Sequence, residues 1–462
     1  MVYRSSTSTT ASDGAPRVAL LTLGCAKNEV DTDRMRALLL AAGMEEADDV
    51  ASADAVVINT CSFLASAVRE GVEATLDVAD ELARAGSSAP IVMCGCIPSR
   101  YGDDVAAELP EVARFVRHDE EDGIVAVVRD VLGLPSAPGP ACARGALRTV
   151  EGASAFVKVS EGCDRFCSFC AIPYIRGRYH SRAADEVLAE CRSLLEGGVR
   201  ELVLIGQDTG VWGLDLAEPR TLAWLLRRVA EVARPFRAWV RVLYLQPEGM
   251  TDELVATIRD VDEVLPYIDI PIQHCSADVL HAMGRKGSAD ELQELFARLR
   301  REIPGIVLRS TAMAGFPGET ERQADELVAF LEREAFDYCS VFAYSPEDGT
   351  RAAAMPGQVD ETTKLERTQR LADVSERMGF AATARHVGEV CDVVIDGVEE
   401  GADGPELIGH TWFQAPDSDG AVHVEAGEAC VGDVVRCRIT DAFCYELVGE
   451  IVPDAHDGSD AR

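Results

Sequence analysis

Three cysteines in one short stretch carry the most specific chemistry in this 462-residue chain. The run Ser160-Glu161-Gly162-Cys163-Asp164-Arg165-Phe166-Cys167-Ser168-Phe169-Cys170 has the spacing Cys-x3-Cys-x2-Cys. Three thiolates in one tight loop can ligate three irons of a four-iron cubane, which leaves the fourth iron open to a substrate or cofactor. A zinc site completed by His180, or three thiols that are merely buried, are the competing readings of the spacing. A second set is not written as a motif. Cys25, Cys61 and Cys96 each sit just past a short apolar run, at residues 18–23, 55–59 and 90–94. Parallel strands there would bring their carboxyl ends to one sheet edge, where ligands bind. Cysteines far apart in sequence would then meet as a three-thiolate site. Cys94 lies inside the third run and reads as a small core residue.

These groups need elements to position them. The three runs alternate with helical patterns, one at 31–42 stopped by Gly43 and a longer one after Cys61, which predicts an α/β, doubly wound parallel sheet. Residues 133–148 are rich in Pro, Gly and Ala and read as a linker, with Cys142 as a free thiol within it. Six strand candidates follow at 155–159, 201–205, 239–244, 267–270, 306–311 and 338–344, with helical patterns between them. Six units predict a partial (β/α)6 barrel, open where a full barrel has eight, with its chemistry on loops at the carboxyl ends of the strands. The Cys-x3-Cys-x2-Cys loop follows the first of them. Helical patterns fade near Phe380, and short alternating runs at 390–395, 407–413, 421–424, 433–440 and 444–451 predict a small antiparallel β-barrel. Residues 1–15 and 454–462 read as polar tails.

Other residues near strand ends carry weaker signals. His274, with Cys275 after it, either faces the barrel cavity or is a structural histidine. The run Gly315-Phe316-Pro317-Gly318-Glu319-Thr320 lacks the lysine of a phosphate loop and reads as a tight turn. Cys191, Cys275, Cys339, Cys391, Cys430, Cys437 and Cys444 read as core or surface filler.

Hydrophobic residues make up 47% of the chain, which excludes wholesale disorder. The formal net charge of −35 argues against a chain-wide basic surface and against DNA binding. Residues 384–462 hold four Lys or Arg against eighteen Asp or Glu. Such a barrel suits a basic protein better than a phosphate backbone, although acidity can also serve solubility alone. The first sixteen residues have no apolar signal region, and no apolar run is long enough to cross a membrane. The expected compartment is the reducing cytoplasm, where clustered cysteines serve metal or redox chemistry.

The Cys-x3-Cys-x2-Cys loop on a partial barrel resembles the radical S-adenosylmethionine (SAM) superfamily. With a three-cysteine domain before it and a small β-barrel after it, the chain resembles the methylthiotransferase family. That resemblance divides it into an N-terminal domain (16–132), a radical SAM core (149–380) and an OB-like TRAM barrel (384–453). Within the family, several stretches are similar to the branch that modifies ribosomal protein S12. They are Leu23-Gly24-Cys25-Ala26-Lys27-Asn28, Asn59-Thr60-Cys61-Ser62-Phe63, Gly95-Cys96, Ser160-Glu161-Gly162-Cys163-Asp164, Cys170-Ala171-Ile172-Pro173, Pro271-Ile272-Gln273-His274 and Gln414-Ala415-Pro416-Asp417. Ala26 stands where many of that branch have proline.

The resemblance implies two [4Fe–4S] clusters and SAM. Cys163, Cys167 and Cys170 would hold the cluster that binds SAM and generates a 5′-deoxyadenosyl radical, with Gln207 near the SAM amino group. Cys25, Cys61 and Cys96 would hold the cluster that carries the sulfur. The implied product is a methylthio group on the β-carbon of an aspartate in ribosomal protein S12, free or in the small ribosomal subunit, with a low-potential electron donor as partner. No catalytic group beyond the cluster ligands is implied. A transfer-RNA methylthiotransferase of the same architecture is the rival reading, and a non-catalytic iron–sulfur scaffold or electron carrier is a third.

Overall fold

The computed structural model describes residues 14–135, 148–149, 152–401, 404–425 and 429–453. Cys142, most of the expected linker and nearly all of both expected tails lie outside them.

The N-terminal sheet contains β1 (Arg17–Thr22), β2 (Ala55–Thr60), β3 (Ile91–Gly95) and β4 (Val112–Arg117). They run parallel in that order, with the two-residue strand Glu45–Glu46 outside β1. β2 is buried at all six positions, as a central strand covered on both faces must be. One face packs against Met35, Leu38 and Leu39 of helix α1 (Ala26–Ala41), the other against Val78 and Leu82 of helix α2 (Ala65–Ala85). The doubly wound sheet is therefore present. β4 was not expected: its Val-Ala-Arg-Phe-Val-Arg run is half exposed and charged, as at a sheet edge. Helix α1 begins before Asp31, where the apolar pattern starts, because Cys25 caps it and the Asn28 side chain closes its first turn.

The core contains β5 (Ser154–Lys158), β6 (Glu201–Ile205), β7 (Trp239–Val242), β8 (Tyr267–Asp269), β9 (Val307–Ala314) and β10 (Tyr338–Ala343). Parallel ladders join β5-β6-β7 and β8-β9-β10. The halves meet where Leu265 N–H donates to the Val240 carbonyl at 2.9 Å and Leu245 N–H to the Asp269 carbonyl at 3.0 Å. This is the expected six-stranded partial barrel. Two short helices flank the metal-site candidates: α3 (Cys96–Tyr101) and α4 (Ile172–Ile175). Helix α5 (Glu361–Ala384) runs past Phe380, since Thr383 still bonds back to the Gly379 carbonyl at 2.9 Å.

The last five strands close a barrel: β11 (Val390–Gly401), β12 (Gly404–Thr411), β13 (Val422–Glu425), β14 (Val434–Ala442) and β15 (Leu447–Ile451), in the order β11-β12-β13-β15-β14. It is not wholly antiparallel, for β13 and β15 pair in parallel. The reason is topological. Direction reverses at every antiparallel contact, so an odd number of strands cannot close without a parallel pair.

This barrel docks on the amino ends of the core strands. Glu201, the first residue of β6, meets His410 Nε2 at 2.6 Å, and Tyr267, the first of β8, bonds Asp419. The cysteine loop lies at the opposite, carboxyl end, where the N-terminal domain also docks. There Lys158 bonds Asp31, and Arg148 reaches Asp33 at 2.5 Å. The Lys27 ammonium of the N-terminal domain sits 3.2 Å above the Tyr244 ring of the core. Among the described residues no helix is long and apolar enough to cross a membrane.

Candidate metal centre

The first cysteine set forms because three strand-end loops pack without side chains between them. A Cβ on Gly24 would stand 2.5 Å from the Cys61 Cβ, and one on Gly95 would stand 2.3 Å from Asn59 Oδ1. Both glycines also have positive φ, +114° and +93°. Buried amides tie the loops together. Asn28 Nδ2 donates at 3.1 Å to both Asn59 Oδ1 and the Thr60 carbonyl. Ser62 donates to the Cys96 carbonyl at 2.9 Å and Thr60 to the Cys94 carbonyl at 2.7 Å. Cys61 and Cys96 are buried and share a thiol hydrogen bond, and Cys25, exposed at the rim, lies close enough to Cys61 to affect its ionisation. The Cys61 hydrogen bond and the Arg176 guanidinium hold Cys96 below the ordinary thiol range against the opposing effect of burial. The Cys61 thiol is pushed up by that same bond and by burial. Cys94 is fully buried in β3 among Val18, Val57 and Val92, as a core residue.

The second set sits in a loop pinned from several sides. Cys163 N–H donates to the Gly177 carbonyl at 3.2 Å, Ser168 N–H to the Met283 carbonyl at 2.8 Å, and Arg351 to the Phe166 carbonyl at 2.8 Å. Gly162 is required, because a Cβ there would stand 2.2 Å from the Arg178 carbonyl oxygen. Cys163, Cys167 and Cys170 lie within electrostatic reach of one another. Burial pushes Cys163 up to about 11 and Cys170 up to about 12, and raises Cys167. What sets these three apart from other buried cysteines is that one loop brings them within reach of one another, the sulfur donors that an iron–sulfur cluster takes. The donor set therefore fits an iron–sulfur cluster. His180 is exposed, with Nδ1 3.4 Å from the Arg178 carbonyl oxygen. Among the described residues no three His, Cys, Asp or Glu side chains are grouped to grip a single metal ion.

The two sets adjoin across the domain boundary. Cys96 packs against Ala171, the residue after Cys170, and against Ile175 of α4. A buried charge network runs beside them. Arg176 Nη1 bonds Asp31 Oδ2 at 2.9 Å and lies 3.5 Å from Glu161 Oε2, and Lys158 bonds both carboxylates. Burial alone would raise Glu161, but Lys158 and Arg176 hold it below the usual carboxylate range. Its Oε1 accepts from Gln207 Nε2 at 2.7 Å, and Gln207 Oε1 is buried without a partner. Asp208 is taken by Arg165 at 2.6 Å.

Asp31, Lys158, Arg176 and Arg285 were not anticipated. Arg285 is a half-buried cation within electrostatic reach of Cys167. Nothing in the sequence separates these residues from ordinary surface charges. The His274 ring makes one hydrogen bond, and its Nε2 is buried without a hydrogen-bond partner, 3.7 Å from Glu319 Oε2. It is fully buried, its Nδ1 accepts from Ser276 N–H at 2.9 Å, and burial holds it down to about 4, neutral at physiological pH. The 315–320 run is the expected turn, closed by Glu319 accepting from Gly315 N–H at 2.9 Å and by Thr320 capping the next helix. Cys191, Cys275, Cys339 and Cys437 are buried, Cys391 and Cys444 partly buried, and Cys430 exposed.

Comparison with known proteins agrees with this arrangement. Residues 17–117 match the uncharacterized protein family UPF0004, 157–331 the radical SAM superfamily and 387–452 the TRAM domain. The chain is 40% identical to the ribosomal protein uS12 methylthiotransferase RimO of Geobacter sulfurreducens, over 96% of this chain and all of that protein. It is 39% identical to that of Trichlorobacter lovleyi, over 95% and 98%. The chain belongs to the RimO family. A TM-score of 0.55 relates it to the radical SAM methyltransferase TsrM of Kitasatospora setae, at 18% identity over 73% of this chain and 77% of that one, a likeness of fold. Family membership and the radical SAM match bring [4Fe–4S] clusters and SAM with them, as the cysteine sets require.

Proposed function

We propose that this protein is a methylthiotransferase that places a methylthio group on the β-carbon of an aspartate in ribosomal protein S12, working in the cytoplasm. The observation that carries the reading is that two three-cysteine sets, from two domains, adjoin where Cys96 packs against Ala171, the residue after Cys170. Inserting sulfur at an unactivated C–H bond needs a radical source and a sulfur source in a single cavity. When bound, the clusters and SAM supply both, as a 5′-deoxyadenosyl radical and an activated sulfur.

This chain's own residues hold and orient. Cys163, Cys167 and Cys170 are the ligands at the radical site, and Cys25, Cys61 and Cys96 those at the sulfur site. Three ligands at each leave one iron open, whereas electron carriers close their clusters with four. Lys158 and Arg176 keep Glu161 ionised, Glu161 fixes the Gln207 amide, and the free Gln207 Oε1 accepts from the SAM amino group. Exposed carboxylates on the last barrel, among them Asp392, Glu399, Glu400, Glu425 and Glu450, favour a basic protein over transfer RNA.

The test is the intact mass of S12 from cells with and without the gene. The expected result is loss of one methylthio group in the deletion strain. An unchanged S12 mass with altered transfer-RNA nucleosides would overturn the substrate in favour of the RNA branch.

A further inference from the structure

Arg176 belongs to the core domain, yet it reaches the first cysteine set in the other domain. It is the residue after α4, the helix whose Ile175 packs on Cys96. It is 4% exposed. Its Nη1 is taken by Asp31 at 2.9 Å and Glu161 at 3.5 Å. Its Nη2 is equally buried and has no hydrogen-bond partner. A buried guanidinium N–H without an acceptor costs about 1–3 kcal/mol, so its surroundings normally satisfy it. The Cys96 sulfur is the acceptor nearby, for Ile175, the residue before Arg176, packs with Cys96 in one buried cluster and the guanidinium lies close enough to act on that sulfur. The fork is rigid and planar, so the carboxylates that fix one nitrogen also aim the other.

We propose that Arg176 is a positioning residue of the sulfur-carrying site, a donor supplied by the radical domain to the Cys96 ligand, and that it raises the reduction potential of the cluster held there. This deepens the reading above and rests on Cys25, Cys61 and Cys96 being ligands. Hydrogen bonds to ligand sulfurs and the net charge around a cluster both set its potential. An N–H donor with a full positive charge stabilises the more negative, reduced cluster. One consequence is specific to this geometry. The first cluster takes its potential only when the N-terminal domain is seated on the core, so its redox behaviour reports domain docking.

The test uses the full chain with Cys163, Cys167 and Cys170 changed to Ala, reconstituted with iron and sulfide under anaerobic conditions, so that one cluster remains. Iron content near four per chain establishes that the first site is loaded. No iron in this parent would sink the ligand reading itself and leave Arg176 aside. In the loaded parent, Arg176→Gln is expected to move the EPR-monitored midpoint potential to more negative values. Arg176→Lys keeps a buried cation between Asp31 and Glu161 and serves if the glutamine variant does not fold. Its ammonium is a compact charge drawn to the two carboxylates, without the fork that spreads the arginine donors toward the sulfur, so the potential again falls. With all six cysteines present, loss of iron from the first site alone in both variants would equally support the assignment. An unchanged potential in either loaded variant overturns it.

Discussion

Replacing His410 with glutamine tests how firmly the last barrel is bonded to the core. His410 lies on β12, with Nε2 2.6 Å from Glu201 Oε2 and Nδ1 2.6 Å from Asp396 Oδ2. Trp239 stands edge-on to it at 6.0 Å, and Arg241 shares Glu201 at 2.5 Å. Burial alone would lower the imidazole, but the two carboxylates overrule it and raise it from 6.5 to about 9. Glu201 is lowered, so it stays ionised throughout the range of interest. A group whose affinity for its proton rises on folding stabilises the fold fully below its unfolded value and loses that effect as pH rises through the folded one. The contribution is about 3 kcal/mol below pH 6, about 1.4 kcal/mol at pH 8 and about 0.4 kcal/mol at pH 9. The assay is hydrogen exchange of the peptide spanning β12, in the wild type and in His410→Gln, from pH 6 to pH 9. Removing the imidazolium also adds a pH-independent cost, since Glu201 keeps only Arg241. The ratio of the two opening constants should fall by about two orders of magnitude across that window. A ratio that stays flat would refute the charged-histidine reasoning, whatever its absolute size.

Changing Cys163, Cys167 or Cys170 to Ala should abolish SAM cleavage, whereas changing Cys25, Cys61 or Cys96 should spare cleavage and stop methylthio transfer; counting 5′-deoxyadenosine and modified S12 in one reaction separates the two. Gly95→Ala forces a Cβ to 2.3 Å from Asn59 Oδ1 at a φ of +93°, a strain of about 1–3 kcal/mol, and iron analysis should show the first site depleted while SAM cleavage survives. Gln207→Ala removes the acceptor offered to the SAM amino group and should weaken SAM binding about tenfold by calorimetry, with iron content unchanged.

Residues whose role follows from their own strand were readable in the sequence. Cys61 and Cys96 were placed because a buried parallel strand is a continuous apolar run, and its carboxyl end is where the run stops. Cys163, Cys167 and Cys170 needed only their mutual spacing. What could not be read depends on another domain. Asp31 and Arg176 meet across 145 positions, and each alone is an ordinary charged residue. β4 was hidden because an edge strand alternates charge with apolar residues, a pattern too short to separate from a loop. The parallel β13–β15 pair follows from closure of an odd ring, which no local pattern encodes.

The placement of the last barrel also decides what its charge can do. The cysteine sets stand at the carboxyl ends of the core strands, and the barrel is bonded to their amino ends through Glu201 and Tyr267. A strand of five residues is about 17 Å long, roughly twice the distance over which physiological salt screens exposed charges. Carboxylates on the outer face of β11, β13 and β15 are farther still from the iron sites. At that distance they have little effect on cluster potentials or SAM affinity. Their reach is to an approaching macromolecule, where many weak charges add and determine the rate and orientation of encounter. The cysteine sets thus lie in the core and N-terminal domain, and the acidic barrel is held on the far end of the strands by the buried His410 and Asp419 contacts, where its charge meets solvent and whatever approaches from it.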